Sequence, residues 1–285
     1  MNKTDPASFA RGTLYDPAIA LEFFKSAGEA QSVAQGDMIF GENQKASRLL
    51  LQKDKMYLVL QGEVNIFAEK DKQVIGVIKP GEIFGELAPL GQSARSATAV
   101  AKSACRVIGL DDKQFLTGLE KKPEFALMLM SVMIRRLRDT IVRRRASGSL
   151  PGDDSGKESA VFERKTIAAL KRELGDEPEA VFRKDATILR EGSAGALMYV
   201  VLKGRVAAYI QGALVELMGP GGVFGEMALV DQAPRVASAV ADSDCELLAI
   251  NRNAFLKLIR SNPSFGASLL RALAERHRFM TSGKK

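Results

Sequence analysis

A chain of 285 residues with 46% hydrophobic content can bury a sizeable core, in one large domain or two ordinary ones. Its formal charge of +7 suits a nucleic acid, an acidic membrane surface or a small anionic ligand, and chooses none of them. The opening residues hold no apolar core of signal-peptide length, and the longest apolar run, ALMLMSVMI at 126–134, is about half a membrane span. The one histidine, His277, has no second ligand at metal spacing, so a soluble cytoplasmic protein without a metal site is expected.

In chain order, LEFFKSAG (21–28) predicts an opening helix. Short alternating apolar segments follow (MYLVL, EVNIF, VIGVI), parted by Gly, Pro and charged residues, and they predict an antiparallel barrel or jelly roll. The stretch FGELAPLGQSAR (84–95) then places a glutamate and an arginine in an otherwise small and apolar run. A closing helix begins near Pro123, with Leu127, Met130, Ile134, Leu137 and Ile141 at spacings of three, four, three and four. Such a seam suits a homodimer through 124–142 or packing of the helix on its own barrel, and the spacing does not choose. Arg135, Arg136, Arg138, Arg143, Arg144 and Arg145 make the same helix strongly basic. The following ASGSLPGDDSGKES (146–159) has the makeup of a flexible linker.

Beyond it, AVFERKTIAALKREL (160–174) predicts a second opening helix, and the marks of the first half return at an offset of 140. Pro80-Gly81 matches Pro220-Gly221, Phe84 matches Phe224, Glu86 matches Glu226, and Arg95 matches Arg235. Cys105, Phe115 and Pro123 continue the register as Cys245, Phe255 and Pro263. Upstream, Tyr57 and Gly62 match Tyr199 and Gly204 at an offset of 142, which puts a two-residue difference in the hairpin between. The expected fold is mainly β with flanking helices (α+β): two tandem jelly-roll-like β-barrels, each with an opening helix and a closing C-terminal helix. The first domain is expected at 13–145, the linker at 146–158 and the second domain at 159–285. The two cysteines read as small buried hydrophobes at matching strand positions, not as a disulfide.

The second copy of the cassette, FGEMALVDQAPR (224–235), states the chemistry most plainly. A glycine lets the backbone approach a ligand, and the residues after it can start a short helix whose amides face an anion. Arg95 and Arg235, nine residues beyond each glutamate, present a guanidinium shaped for phosphate oxygens. Glu86 and Glu226 sit among Leu, Met and Ala and need donors to offset burial, and a ribose hydroxyl is such a donor. Together these groups describe a nucleotide whose phosphate lies close to its ribose, as in a cyclic monophosphate.

The pattern F-G-E-[LM]-A with Arg nine residues after the Glu resembles the phosphate-binding cassette of cyclic nucleotide-binding domains. The hairpins YLVLQGEV (57–64) and YVVLKGRV (199–206), and the Pro-Gly pairs, extend the resemblance over both halves and nearly the whole chain. It implies Glu86 and Glu226 on the ribose 2′-hydroxyl, Arg95 and Arg235 on the exocyclic phosphate oxygens, and backbone amides of Gly85, Leu87, Ala88, Gly225, Met227 and Ala228 around the anion. Ser96 and Val236, directly after the arginines, bear on base choice; Val236 leans toward cAMP and Ser96 leaves it open. In the catabolite-activator type a threonine after an Arg-Arg-Leu run reaches the adenine amino group, and here Thr140 follows Arg135-Arg136-Leu137. The second closing helix brings Met280 or Thr281 to the corresponding height, with Phe279 as an apolar cap on the base. The first site departs from the family at Pro89, inside the cassette helix, at Ala94, where the second copy keeps Pro234, and in extra residues between Glu42 and Tyr57. The second site is therefore the more regular of the two.

No Ser-His-Asp, Cys-His or paired-carboxylate arrangement accompanies the cassettes, so the expectation is no enzyme and no cofactor, but a sensor that relays a cyclic nucleotide to a partner. The layout resembles the regulatory subunits of cyclic-nucleotide-dependent kinases, although no Arg-Arg-x-Ser segment stands before the first domain. Regulators of the catabolite-activator type carry a helix-turn-helix after the closing helix. Only TSGKK follows here, so sequence-specific DNA binding is not expected, nor is a membrane partner. The alternatives are a sensor of cGMP or a cyclic dinucleotide, and a ligand-free scaffold or transcription cofactor acting through the basic closing helix.

Overall fold

A computed structural model describes residues 15–42, 54–68, 73–91, 94–153, 155–175 and 179–282. Asp16 opens helix α1 (Pro17–Ala27) by accepting from the amides of Ala18 and Ile19, while Pro17 fills a first-turn place that needs no donor. Strands β1 (Ala30–Val33), β2 (Met38–Phe40), β3 (Lys55–Gln61), β4 (Val64–Ala68), β5 (Gln73–Ile78) and β6 (Ile83–Phe84) follow. A short helix α2 (Leu87–Gly91) precedes β7 (Thr98–Ala101) and β8 (Cys105–Asp111), and helices α3 (Asp112–Lys121) and α4 (Glu124–Ala146) come after. The strands form two antiparallel sheets in the orders β1-β8-β3-β6 and β2-β7-β4-β5. Period-two alternation sends Phe40, Tyr57, Val59, Val64, Phe84 and Val107 from both sheets into one core, giving the jelly-roll-like barrel.

The second repeat runs β9 (Glu158–Ser159), α5 (Arg164–Leu174), β10 (Glu179–Phe182), β11 (Thr187–Leu189), β12 (Leu197–Lys203), β13 (Val206–Ile210) and β14 (Ala213–Met218). It continues with β15 (Val223–Phe224), α6 (Glu226–Asp231), β16 (Ser238–Ala241), β17 (Cys245–Asn251), α7 (Arg252–Ser261) and α8 (Pro263–Ser282). Its sheets are ordered β10-β17-β12-β15 and β11-β16-β13-β14-β9. Tyr199, Val201, Val206, Phe224 and Leu247 occupy the core places of their first-repeat counterparts, so the repeat seen in the sequence is a repeat of packing. The two-residue slip lies where expected. In the second repeat β13 turns into β14 through Gln211 and Gly212, both at positive φ, whereas residues 69–72 join β4 to β5. Both cysteines are buried and free. No helix among the described residues is long and apolar enough to cross a membrane.

Two expectations change. The stretch read as a flexible linker is strapped to the second barrel: the Asp153 amide donates to Leu214 O, and β9 pairs in parallel with β14. An edge strand offers unpaired backbone groups, and these residues satisfy them whatever their side chains. The amides of Val161 and Phe162 then both donate to Gly221 O, so α5 starts at Arg164 and not at 160.

Contacts group the chain into one unit up to Val132 together with Asn262–Arg278, and another of Met133–Ser261 with Phe279 onward, so residues 146–158 fall inside the second. Helix α4 has 23 residues, about 34 Å, which outruns strands of seven residues or fewer. Met130, Ile134, Leu137 and Ile141 are buried within the single chain, the second of the two uses that the spacing left open for the seam.

Candidate functional site

The second cassette begins where β15 has delivered Phe224 into the core and the chain must turn at once into α6. Gly225 makes that turn at φ 87°, a left-handed conformation that favours glycine. A Cβ there would also stand 2.8 Å from Arg235 Nη1. Arg235 comes back over the glycine: Nη1 donates to Gly225 O at 2.6 Å and Nη2 to Leu197 O, the first residue of β12, at 2.5 Å. The backbone of Arg235 is fixed too, its amide donating to Ser193 O and its carbonyl accepting from Gly192. The guanidinium lies flat on Gly195, where any Cβ would fall 2.3 Å from Cζ.

Arg235 is 6% exposed and Glu226 2%. Burial pushes the Arg235 guanidinium below its ordinary pKa, and the nearby Glu226 carboxylate pulls it back up. Arg235 Nε, lying over Gly195, is buried with no hydrogen-bond partner among the described residues.

A cavity of about 60 Å³ opens beside these groups. All six second-site residues expected from the cassette, Gly225, Glu226, Met227, Ala228, Arg235 and Val236, line it. Sequence reasoning missed Leu189, Ala208, Ser238 and Arg138 in the same wall.

The first cassette repeats the geometry. Gly85 stands at φ 73°, and a Cβ there would lie 2.9 Å from the Phe40 ring and 3.1 Å from Arg95 Nη1. Arg95, 4% exposed, donates from Nη1 to Gly85 O at 2.7 Å and from Nη2 to Lys55 O at 2.8 Å. Lys55 opens β3 as Leu197 opens β12, so carbonyls at matching positions hold the two arginines. Glu86 is 1% exposed and close enough to act on the Arg95 charge.

Here the guanidinium gains more company. Its Cζ sits 4.1 Å above the Phe40 ring, and Asp54 Oδ1 lies 3.4 Å from Nε, which has no hydrogen-bond partner. Burial lowers the Arg95 pKa first, and Asp54 raises it against that trend. Tyr57, stacked on Phe84, has its own pKa raised by burial. Pro89 falls in the first turn of α2, where an amide lacks a helical partner anyway, and the Leu90 amide still reaches Glu86 O at 3.3 Å. The proline therefore does not break the cassette helix. Leu87 is half-buried and Ser96 exposed, while Gln92, Ser93 and the side chain of Ala88 lie outside the described residues, as does most of the 42–57 insertion.

The closing-helix threonines are less engaged. Thr140 is buried in the second unit, its hydroxyl donating to Arg136 O and accepting from Arg143. Thr281 is exposed, and its carbonyl, with that of Met280, caps onto the Arg144 guanidinium. Phe279 and Met280 are buried. Neither threonine lines the second cavity. Among the described residues no group of three or more His, Cys, Asp or Glu could hold a metal.

The family model described as the cyclic nucleotide-binding domain matches residues 30–122 and again 179–262, together well over half of the chain. The cyclic AMP receptor protein of Thermus thermophilus is 42% identical over 96 residues, 32% of this chain and 44% of that one. The cAMP-dependent protein kinase regulatory subunit of Colletotrichum orbiculare is 27% identical over 221 residues, 72% of this chain and 50% of the relative. The chain thus spans at most about half the length of these two relatives. Among solved structures, the regulatory domain of Toxoplasma gondii PKA with cAMP aligns over 95% of both chains at 22% identity and a TM-score of 0.33.

Proposed function

Because the chain belongs to the cyclic nucleotide-binding domain family, matched once in each repeat, we propose that it is a non-catalytic sensor taking a cyclic nucleotide in one or both repeats and relaying its presence to a partner. The observation that carries this reading is the repeated buried arginine. In each repeat it is held by the carbonyl of the cassette glycine, stands near a buried glutamate, and keeps an Nε without a hydrogen bond. A cation desolvated in this way is under-compensated, and a phosphate oxygen is the acceptor that completes it. Glu86 and Glu226 then accept from the ribose 2′-hydroxyl. The second site ranks first, since among the described residues no carboxylate stands at the Arg235 Nε as Asp54 does at that of Arg95.

We favour cAMP over cGMP, as Val236, directly after the arginine, is apolar and lines the second cavity. The curated relatives are named for cAMP, in agreement. Ligand contracts the cassette and redocks the closing helix, shifting an equilibrium by its differential affinity for two states. The name of the Colletotrichum orbiculare relative points to a protein kinase as the class of partner, and we place that encounter in the cytoplasm.

One observation favours a second reading, a ligand-free scaffold. Each guanidinium already spends two donors on carbonyls, and the second cavity, at about 60 Å³, is far below the roughly 300 Å³ of the smallest ordinary ligand pockets. Isothermal titration of the wild type, Arg95→Ala and Arg235→Ala with cAMP, cGMP and cyclic dinucleotides separates the two. The sensor binds cAMP and loses most of its affinity with Arg235→Ala. A wild type that binds none of these ligands sinks the sensor reading.

A further inference from the structure

We propose that the second half of α4 latches the second cassette closed, so that a nucleotide enters only after two arginine bridges from that helix let go. The inference rests on reading residues 224–236 as the nucleotide site and adds what controls access to it.

Arg138 grips both carboxylate oxygens of Asp231, the last residue of α6, through Nε at 2.5 Å and Nη2 at 3.1 Å. Its Nη1 donates to Pro234 O at 2.9 Å. Seven residues on, and so on the same face of the helix, Arg145 donates to Glu191 Oε1 and to Val236 O, each at 2.7 Å. Asp231, Pro234 and Val236 bracket Arg235, so α4 holds the cassette on both sides of its phosphate arginine. Arg138 and Asp231 are each 21% exposed, and their paired, two-point geometry is that of a firm ion pair rather than a loose surface one.

The cavity leads to the same conclusion by another route. Arg138 is part of its wall, and the space left is a small fraction of what a nucleotide occupies. Widening it moves the rim at 231–236 outward, and that motion pulls on both arginines at once. Latched and open forms are then two states of one site, and the affinity measured is the intrinsic affinity reduced by the fraction open. The basic face of α4, which composition offers to a polyanion, is at these two positions engaged within the chain.

The test uses the full chain carrying Arg95→Ala, so that titration reads the second site. Arg138→Ala, Asp231→Asn and the charge-reversed pair Arg138→Asp with Asp231→Arg are compared by hydrogen exchange of the amides at 139–146 and by titration with cAMP. Each single change is expected to speed exchange without ligand and to tighten cAMP binding about fivefold, as for a latched form that outnumbers the open one several to one. The reversed pair is expected to restore both values. Unchanged affinity in both single variants overturns the latch, even if exchange rises. Weaker binding with Arg138→Ala alone overturns it as well, and makes Arg138 a ligand contact. If neither the latched nor the unlatched proteins bind any cyclic nucleotide, it is the sensor reading that fails, and the gate with it.

Discussion

Asp54 lies 3.4 Å from Arg95 Nε, whereas Arg235, in the matching place of the second repeat, is held among the described residues by carbonyl oxygens and not by a carboxylate. The first arginine thus already has an anion at the nitrogen a phosphate would approach. Asp54→Asn, in a chain also carrying Arg235→Ala, is expected to tighten cAMP binding at the first site by about fivefold, the equivalent of about 1 kcal/mol. Titration calorimetry measures it, and weaker binding would show that Asp54 orients the arginine instead of competing for it.

Gly195 has no side chain because the Arg235 guanidinium fills the space one would take. Gly195→Ala is expected to displace that guanidinium from Leu197 O and Gly225 O and to weaken second-site binding at least about tenfold, or about 1.4 kcal/mol. The midpoint of thermal unfolding should shift little, since the core of the barrel is untouched. Equal losses of stability and binding would mean that the contact is one of packing.

A glutamate that meets a ribose hydroxyl and one that serves only the arginine differ in how they treat 2′-deoxy-cAMP. The wild type is expected to bind the deoxy ligand about tenfold more weakly, the cost of leaving the buried Glu226 without that donor. In Glu226→Ala the two ligands are expected to bind alike. A tenfold gap that survives the substitution removes Glu226 from the ribose.

Burial, and secondarily the charge of Asp244, raise the Cys245 thiol above its ordinary pKa of 9.0. A raised pKa keeps the thiol neutral through pH 8, and the thiolate is the reactive form. Iodoacetamide at pH 8 is therefore expected to leave Cys245 unmodified until the chain is unfolded in urea. Labelling of the folded protein at the rate of a free thiol would contradict both the burial and the shift.

The barrels were legible because their signals are local. Tyr57 and Tyr199, Phe84 and Phe224, and the turns between them are set by period-two alternation and by glycines a few residues away. The cassette was legible for the same reason, as glycine, glutamate and arginine fall within a dozen residues that fold on themselves. What stayed hidden depends on partners far along the chain. Arg138 meets Asp231 across 93 residues, and nothing in either neighbourhood announces the other. The apolar seam of α4 marked a face to be covered but not what covers it. Composition misled most at 146–158, since backbone pairing to β14 leaves no trace in side chains.

That pairing sets how far the second repeat is portable. A fragment cut at residue 160, where the sequence repeat suggests the second copy begins, lacks β9 and presents the full length of β14 to solvent as a bare edge. Such a fragment is expected to self-associate more strongly than one beginning at Met133, which keeps β9 and the half of α4 that belongs to the same compact unit, as read on a sizing column. The stretch whose makeup marks it as a spacer thus works as the seal on an open edge of the second barrel.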